Sequence, residues 1–263
     1  MFSIEPNALL ETSMFLIPEK TTLPKLRPGI VRPRLLVMLQ KSLDSCTSTV
    51  VSGRAGTGKT ALAVTFARTC GRPVAWYKVD ASDIEFRVFL RYLVASIAQQ
   101  RPGFGEETLA ALDDFSADDS MALANTFLYE LLEYQGRPLL VVLEDLHLIS
   151  EGEWLMPLLC RLLPLLPRKV HILITSRTMP PAPLWRMRSK QTLKVIDEEM
   201  LAFTQAEALE LFETYGLSSR LARSACDRSR GRAGSLAAYA VALTGIERAV
   251  GNHSGDLDAN DSI

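Results

Sequence analysis

Gly53-Arg54-Ala55-Gly56-Thr57-Gly58-Lys59-Thr60 gathers three glycines, a lysine and a hydroxyl into eight residues. Glycines let a backbone wrap closely around an anion without Cβ clashes. Successive N–H groups of such a loop, and of a helix that follows it, then point at the anion. In this spacing Lys59 reaches the β- and γ-phosphates of a nucleoside triphosphate, and the Thr60 hydroxyl ligates Mg²⁺. The pattern carries weight only between a strand and a helix. Both flanks qualify: Thr49-Val50-Val51-Ser52 is a β-branched run, and Thr60 to Arg68 places Leu62, Phe66 and Ala67 on one helical side. Gly53 through Ala61 is the predicted nucleotide cradle, a P-loop.

A second group of residues completes the chemistry. Leu139 to Leu143 is a continuous apolar run, as in a strand buried on both faces, and it ends in Glu144-Asp145. A magnesium nucleotide site needs one carboxylate for the metal and another group to orient water. Adjacent acids at a strand end can divide these tasks, Glu144 on Mg²⁺ and Asp145 on water. The next strand, Val170 to Thr175, ends in Ser176-Arg177. A fixed cation there distinguishes a diphosphate from a triphosphate. The predicted catalytic group is Lys59, Asp145 and Arg177, with Thr60 and Glu144 toward the metal. His147, His171, Trp76 and Tyr77 are expected to be loop or core residues.

These groups need a scaffold. Val74 to Val79 and Thr192 to Ile196 read as further strands, and helical patterns separate the strands. Alternation of this kind implies an α/β fold with a parallel, doubly wound sheet and ligand groups at its carboxyl edge. The acidic strand is expected to lie beside the P-loop strand in the sheet. Gly71 is a predicted helix C-cap, Asp83 a helix N-cap, and Thr204-Gln205-Ala206-Glu207 a capping box. After the fifth strand the pattern is all-helical, with Ser218 or Ser219 and then Ser235 as caps. The expected organisation is an N-terminal arm over 1–24, loosely ordered, and a nucleotide-binding domain over 25–198. A helical subdomain over 199–250 and a disordered polar tail over 251–263 follow. Arg220, Arg223, Arg228, Arg230 and Arg232 are expected to form a solvated face or a nucleotide-side contact.

Composition narrows the class. The chain has 263 residues, 29 basic and 30 acidic, for a formal charge of −1. That balance gives no electrostatic case for nucleic acid or an anionic membrane as an obligatory partner. Four cysteines at 46, 70, 160 and 226 show no metal or redox spacing. The longest apolar stretch, Leu155 to Pro167, contains Arg161 and three prolines and is too short to span a bilayer. A cytoplasmic protein is expected.

Several further segments, in order, carry a resemblance. They are Phe15-Leu16-Ile17-Pro18 with Lys20, Val31-Arg32-Pro33-Arg34-Leu35-Leu36, the P-loop, and Trp76-Tyr77-Lys78-Val79-Asp80. Leu143-Glu144-Asp145-Leu146-His147-Leu148-Ile149, Thr175-Ser176-Arg177 and Leu201-Ala202-Phe203-Thr204-Gln205-Ala206-Glu207-Ala208 complete the series. Over about residues 14–245 the chain resembles the P-loop ATPase module of the signal-transduction ATPases with numerous domains (STAND). More narrowly it resembles the N-terminal part of the large LuxR-type transcriptional regulators. The resemblance implies ATP rather than GTP, a five-stranded core, Glu144-Asp145 as the Walker B pair, Arg177 as sensor, and Val31 and Arg32 near adenine. It implies a regulatory switch with weak ATPase activity. ADP would hold a closed form and ATP an open form that self-associates. The family usually has Asp where Glu144 stands. Nothing after about residue 250 matches the family's sensor or DNA-binding helices, so a separate protein partner is expected. The alternative reading is an ATP-binding interaction module with little turnover that partners or inhibits full-length relatives.

Overall fold

The computed structural model describes residues 16–25, 30–114, 120–133, 136–189 and 192–255. The strands are β1 Ser48–Ser52, β2 Val74–Lys78, β3 Leu139–Glu144, β4 Val170–Ser176 and β5 Leu193–Ile196. They form one parallel sheet in the order β2-β3-β4-β1-β5. The acidic strand β3 therefore does not neighbour the P-loop strand β1, contrary to expectation. β4, with Arg177 after its last residue, lies between them.

Strand alternation builds two cores. Leu139, Val141 and Leu143 face one layer, and Leu140 and Val142 the other. The first layer holds α3 Phe86–Ala98, α5 Ser120–Glu133 and α6 Leu155–Leu162, with Phe89, Leu93, Phe127 and Leu158 buried. The second holds α1 Pro33–Ser45 and α2 Lys59–Thr69, through Leu35, Leu39, Leu62 and Phe66. Two shorter helices, α4 Glu106–Asp114 and α7 Ala182–Ser189, complete this α/β unit. Gly71 takes φ +70° after α2, the left-handed conformation a C-cap needs.

The helical end begins with α8 Glu198–Leu201. It continues with α9 Gln205–Glu213, α10 Ser219–Ser229 and α11 Ala233–Gly255. Thr204 and Glu207 form the predicted capping box, and Ser218 caps α10. Ala208, Phe212, Ala222 and Leu236 close a third small core.

Four further expectations are corrected. Ser235 is not a cap: α11 starts at Ala233. The same helix passes Val250 and takes in the first residues of the polar tail. Asp83 does not cap α3. Its carboxylate accepts from Lys20 Nζ at 2.6 Å and from the Asp80 N–H at 3.0 Å. That contact also fixes the end of the N-terminal arm. Pro18–Lys20 is a turn of 3-10 helix, Lys20 is buried between Asp80 and Asp83, and the Ile17 N–H donates to the Tyr92 hydroxyl. The expected Pro28-Gly29 turn and the cap over 117–119 lie outside the described residues.

His171 and its neighbours make a buried polar chain. The Cys46 carbonyl can only accept, so His171 Nδ1 carries the proton of that 3.1 Å contact. Nε2 then accepts from Thr49 Oγ1 at 2.9 Å, and Thr49 accepts from Ser42 Oγ at 2.7 Å. The chain ties α1 to β1 and β4, and the role is structural, as expected. No helix among the described residues is long and apolar enough to cross a membrane.

Candidate functional site

The loop after β1 lies at the carboxyl edge of the sheet, and its Gly53 N–H donates to the Ser176 carbonyl at the end of β4. Gly56 and Gly58 take φ +78° and +85°, where L side chains are strained. At Gly58 a Cβ would also stand 2.9 Å from Arg32 Nη2. Lys59 opens α2 and is buried. Its ammonium donates to the Gly53 and Arg54 carbonyls at 2.5 and 3.0 Å. Burial holds its pKa below the usual lysine value; Asp145 opposes that shift and Arg177 adds to it.

Thr60, one residue into the helix, donates its hydroxyl to Glu144 Oε1 at 2.6 Å. The other carboxylate oxygen accepts from Trp76 Nε1 at 3.2 Å. Glu144 thus reaches the P-loop helix across β4, and its carboxylate and the Thr60 hydroxyl share one point. A hard cation takes such oxygen donors, so the pair fits Mg²⁺. Asp145 has φ +59°, a left-handed turn that ends the strand abruptly. Its N–H donates to Thr175 Oγ1 at 2.9 Å, which holds that conformation. Arg177 is exposed, and its charge lowers the pKa of both Lys59 and His147.

A second set of contacts joins this site to the helical end. Arg32 is 5% exposed; it donates to the Leu201 carbonyl at 2.7 Å and the Gly58 carbonyl at 3.2 Å, and lies over the Phe203 ring. Burial lowers its pKa to about 10. Val31 is half exposed beside it. Arg34 clamps Glu207 through both carboxylate oxygens, at 3.0 and 3.1 Å, and donates to the Met200 and Ala202 carbonyls. Arg54 donates its backbone N–H and its guanidinium to Glu198, at 2.9 and 2.8 Å. The start of α11 rests on the loop itself. The Gly234 N–H donates to the Gly56 carbonyl at 2.7 Å, and Arg232 donates to the Ala55 carbonyl. Arg228, Arg230 and Arg232 line a cavity of about 800 Å³ between α10, α11, Glu198 and the loop residues Arg54 and Thr57.

The structure therefore brings Lys59, Thr60, Glu144 and Asp145 to one edge, with Arg177 beside them. Trp76 is core, as expected, but also a partner of Glu144. Thr175, Glu198 and Gly234 escaped sequence reading, whereas Arg232 was among the arginines expected on a solvated face or a nucleotide-side contact and reaches the loop at Ala55. Of the three, Thr175 alone had a signal: a hydroxyl one residue before Ser176-Arg177.

The profile of the AAA ATPase domain family matches residues 32–175. Among characterised proteins, the HTH-type transcriptional regulator MalT of Yersinia enterocolitica is 31% identical over 234 residues. That match takes in 86% of this chain and 25% of the relative. MalT of Yersinia pestis is 31% identical over 224 residues, 82% of this chain and 24% of the relative. The chain thus spans about a quarter of the length of these relatives. A STAND protein with a tetratricopeptide repeat sensor from Pyrococcus horikoshii shares the fold at TM-score 0.58 and 16% identity. It covers 82% of this chain and 30% of its own. A Walker-type ATPase of Pyrococcus abyssi does so at TM-score 0.53 and 16% identity, over 90% of this chain and 79% of its own. With a nucleotide-binding loop, a paired acidic strand end and a five-stranded parallel sheet, the chain belongs to the AAA ATPase domain family and resembles the STAND ATPase module of MalT-type regulators.

Proposed function

We propose that this chain is an ATP-driven regulatory switch that hydrolyses ATP slowly and changes the docking of its helical end with the nucleotide bound. The observation that carries this reading is the bonding of α11 onto the P-loop backbone, through Gly234 and Arg232. Phosphate held by the loop and a helix held by the same loop cannot be independent. In this reading residues 25–198 are the nucleotide domain and 199–250 the moving subdomain.

Lys59 leaves its loop carbonyls for the β- and γ-phosphates, and the N–H groups from Gly56 to Ala61 hold the phosphate chain. Thr60 and Glu144 would hold Mg²⁺, which neutralises phosphate charge when bound. Asp145 orients the attacking water, and Arg177 senses the γ-phosphate. Arg32, with Val31, lies toward the adenine. Release of phosphate weakens the hold of Arg177 and restores the docked form. The name of the relatives supports a role in transcription regulation, through a partner or self-association. The four free cysteines suit the cytoplasm.

ATP binding and turnover on the purified chain test this, beside Lys59→Ala and Asp145→Asn, with sizing in ADP and in ATP. Slow turnover in the wild type, binding without turnover in Asp145→Asn, and a larger particle in ATP are expected. Absence of nucleotide binding would overturn the reading. A second reading, an interaction module with little turnover, draws on Glu144 in place of the usual Asp and on Lys59 held by its own loop. Binding without turnover or size change in the wild type would select it.

A further inference from the structure

The loop that cradles phosphate has a second side. Its N–H groups serve the nucleotide, whereas the carbonyls of Ala55 and Gly56 accept from Arg232 and Gly234 at the start of α11. On that outer side lies the cavity of about 800 Å³, a volume within the usual range of small-molecule sites. Lys59, Thr60 and Glu144 are not part of its lining. Its charges do not balance. The guanidiniums of Arg54, Arg228, Arg230 and Arg232 stand against the carboxylates of Glu198 and Glu199. Arg54 takes both oxygens of Glu198, and Arg232 donates to the Ala55 carbonyl. Arg228 and Arg230 make no ion pair or hydrogen bond among the described residues. Arg230 ends α10 at φ +50°, a conformation that glycine takes without strain. The start of α11 adds donors: the N–H groups of Ala233 and Ser235, both in the lining, meet no acceptor among the described residues. Tyr239 presents a ring that is 41% exposed, beside Leu201 and Ala202.

We propose that this cavity binds a phosphate ester whose organic part carries a flat ring, with Arg228 and Arg230 on the phosphate and Tyr239 against the ring. Four guanidiniums and two carboxylates leave an excess of two positive charges, and a phosphate monoester carries about two negative ones near pH 7. Guanidinium forks match phosphate oxygens in pairs, which a lone carboxylate ligand would use less fully. Free N–H groups at a helix start favour the same anion. A ring on the ligand gives Tyr239 an offset-stacking partner. The left-handed backbone at Arg230 fits a residue kept for its side chain rather than for its fold. Position gives the site a consequence. Arg54 and Thr57 belong to the loop, and Arg228 to Ala233 to the helical end, so an occupant joins the two. Occupancy therefore slows ADP release; that coupling, but not the binding itself, rests on the switch reading.

The test uses 2-naphthyl phosphate as probe, on the full chain holding one equivalent of ADP and again on Lys59→Ala, with ADP affinity measured on the same samples. Saturable one-to-one binding of the probe is expected in both. 2-Naphthol, without the phosphate, and inorganic phosphate, without the ring, should each bind at least about tenfold more weakly. Arg230→Gly removes one guanidinium and relaxes the backbone. It should weaken the probe about tenfold while the melting temperature holds or rises, the reverse of what a structural role predicts. Arg228→Ala should weaken the probe to a similar degree and leave ADP affinity unchanged. No saturable binding, or equal binding by wild type and the two arginine variants, overturns the proposal. So does loss of the probe in Lys59→Ala, which would place it in the phosphate loop. Hexaglutamate that displaces the probe at a lower concentration than inorganic phosphate does also overturns it, giving this face to an acidic protein partner. Loss of ADP binding by the wild type with probe binding intact would sink the switch reading and leave this site standing.

Discussion

Thr60 donates its hydroxyl to the Glu144 carboxylate at 2.6 Å, joining the P-loop helix to the acid of a strand that is not its neighbour in the sheet. The contact exists because α2 starts at the carboxyl edge and Glu144 is the last residue of β3. Thr60→Val keeps the shape and removes the donor. The buried carboxylate then retains Trp76 alone, which should cost about 1.5–3 kcal/mol. Denaturant unfolding measures that cost. Mg²⁺-dependent nucleotide affinity should fall at least about tenfold, the loss set by one missing charge-assisted contact. An unchanged Mg²⁺ dependence would remove Thr60 and Glu144 from the metal.

Arg34 makes two bonds to Glu207 and two to backbone carbonyls at the end of α8, those of Met200 within it and Ala202 just after it. Arg34→Ala should loosen α8 and α9 from α1, at about 2–3 kcal/mol, since charge-assisted bonds are worth more than neutral ones and do not add fully. Arg34→Lys should recover less than half, because a lysine cannot fork across a carboxylate. Hydrogen exchange in residues 198–213 localises the effect. Uniform loss across the sheet would contradict it.

Gly234 approaches the loop so closely that a Cβ would lie 3.1 Å from the Gly56 carbonyl oxygen and 3.2 Å from its Cα. Neither backbone can give way cheaply. Gly234→Val should lift the start of α11 from the loop and accelerate ADP release by roughly tenfold, one lost backbone bond plus the clash. Stopped-flow release of a fluorescent ADP analogue is the measurement. A rate equal to the wild type would separate α11 from nucleotide exchange.

His171 gives a pH signature. Burial depresses its pKa to about 4, with the Cys46 carbonyl opposing and Arg72 adding to the shift. Unfolded histidine titrates near ~6.5. Between the two values only the unfolded chain takes up the proton. Stability is full above about pH 6.5 and falls as pH drops toward 4, by roughly 1.4 kcal/mol per unit inside that window. Urea midpoints at pH 7, 6 and 5 trace the fall. His171→Gln should flatten the slope, whatever it does to the absolute value. A slope unchanged by that substitution would assign the titration elsewhere.

The sequence exposed what is decided locally. A phosphate loop is recognisable because glycines, lysine and threonine must stand at fixed offsets. The strands around it are recognisable because burial on both faces leaves unbroken apolar runs such as Leu139 to Leu143. Sheet order was not legible, because no residue in β3 or β1 records which strand pairs between them. Asp83 was misread for a related reason: its helix-capping chemistry is real, but Lys20, 63 positions away, competes for the same carboxylate. Contacts between the loop and α11 were also hidden. Arg232 and Ala55 are 177 residues apart, and glycine at 234 reads as a weak helix start until Gly56 is seen beneath it. Trp76 was correctly placed in the core, but its one polar atom has a second task that packing logic does not reveal.

Lys20 sits on a short turn ahead of the whole nucleotide domain, and Asp83, its partner, is fully buried. Removing one member of a buried ion pair costs about 3–5 kcal/mol, because the other charge stays without a counter-ion. That makes the boundary of the smallest viable fragment a matter of charge rather than of sheet or loop. A shortened chain beginning at Thr21 would keep every strand and the entire phosphate loop, yet leave Asp83 stranded, and should be recovered mainly as aggregate. One beginning a few residues before Pro18 should fold.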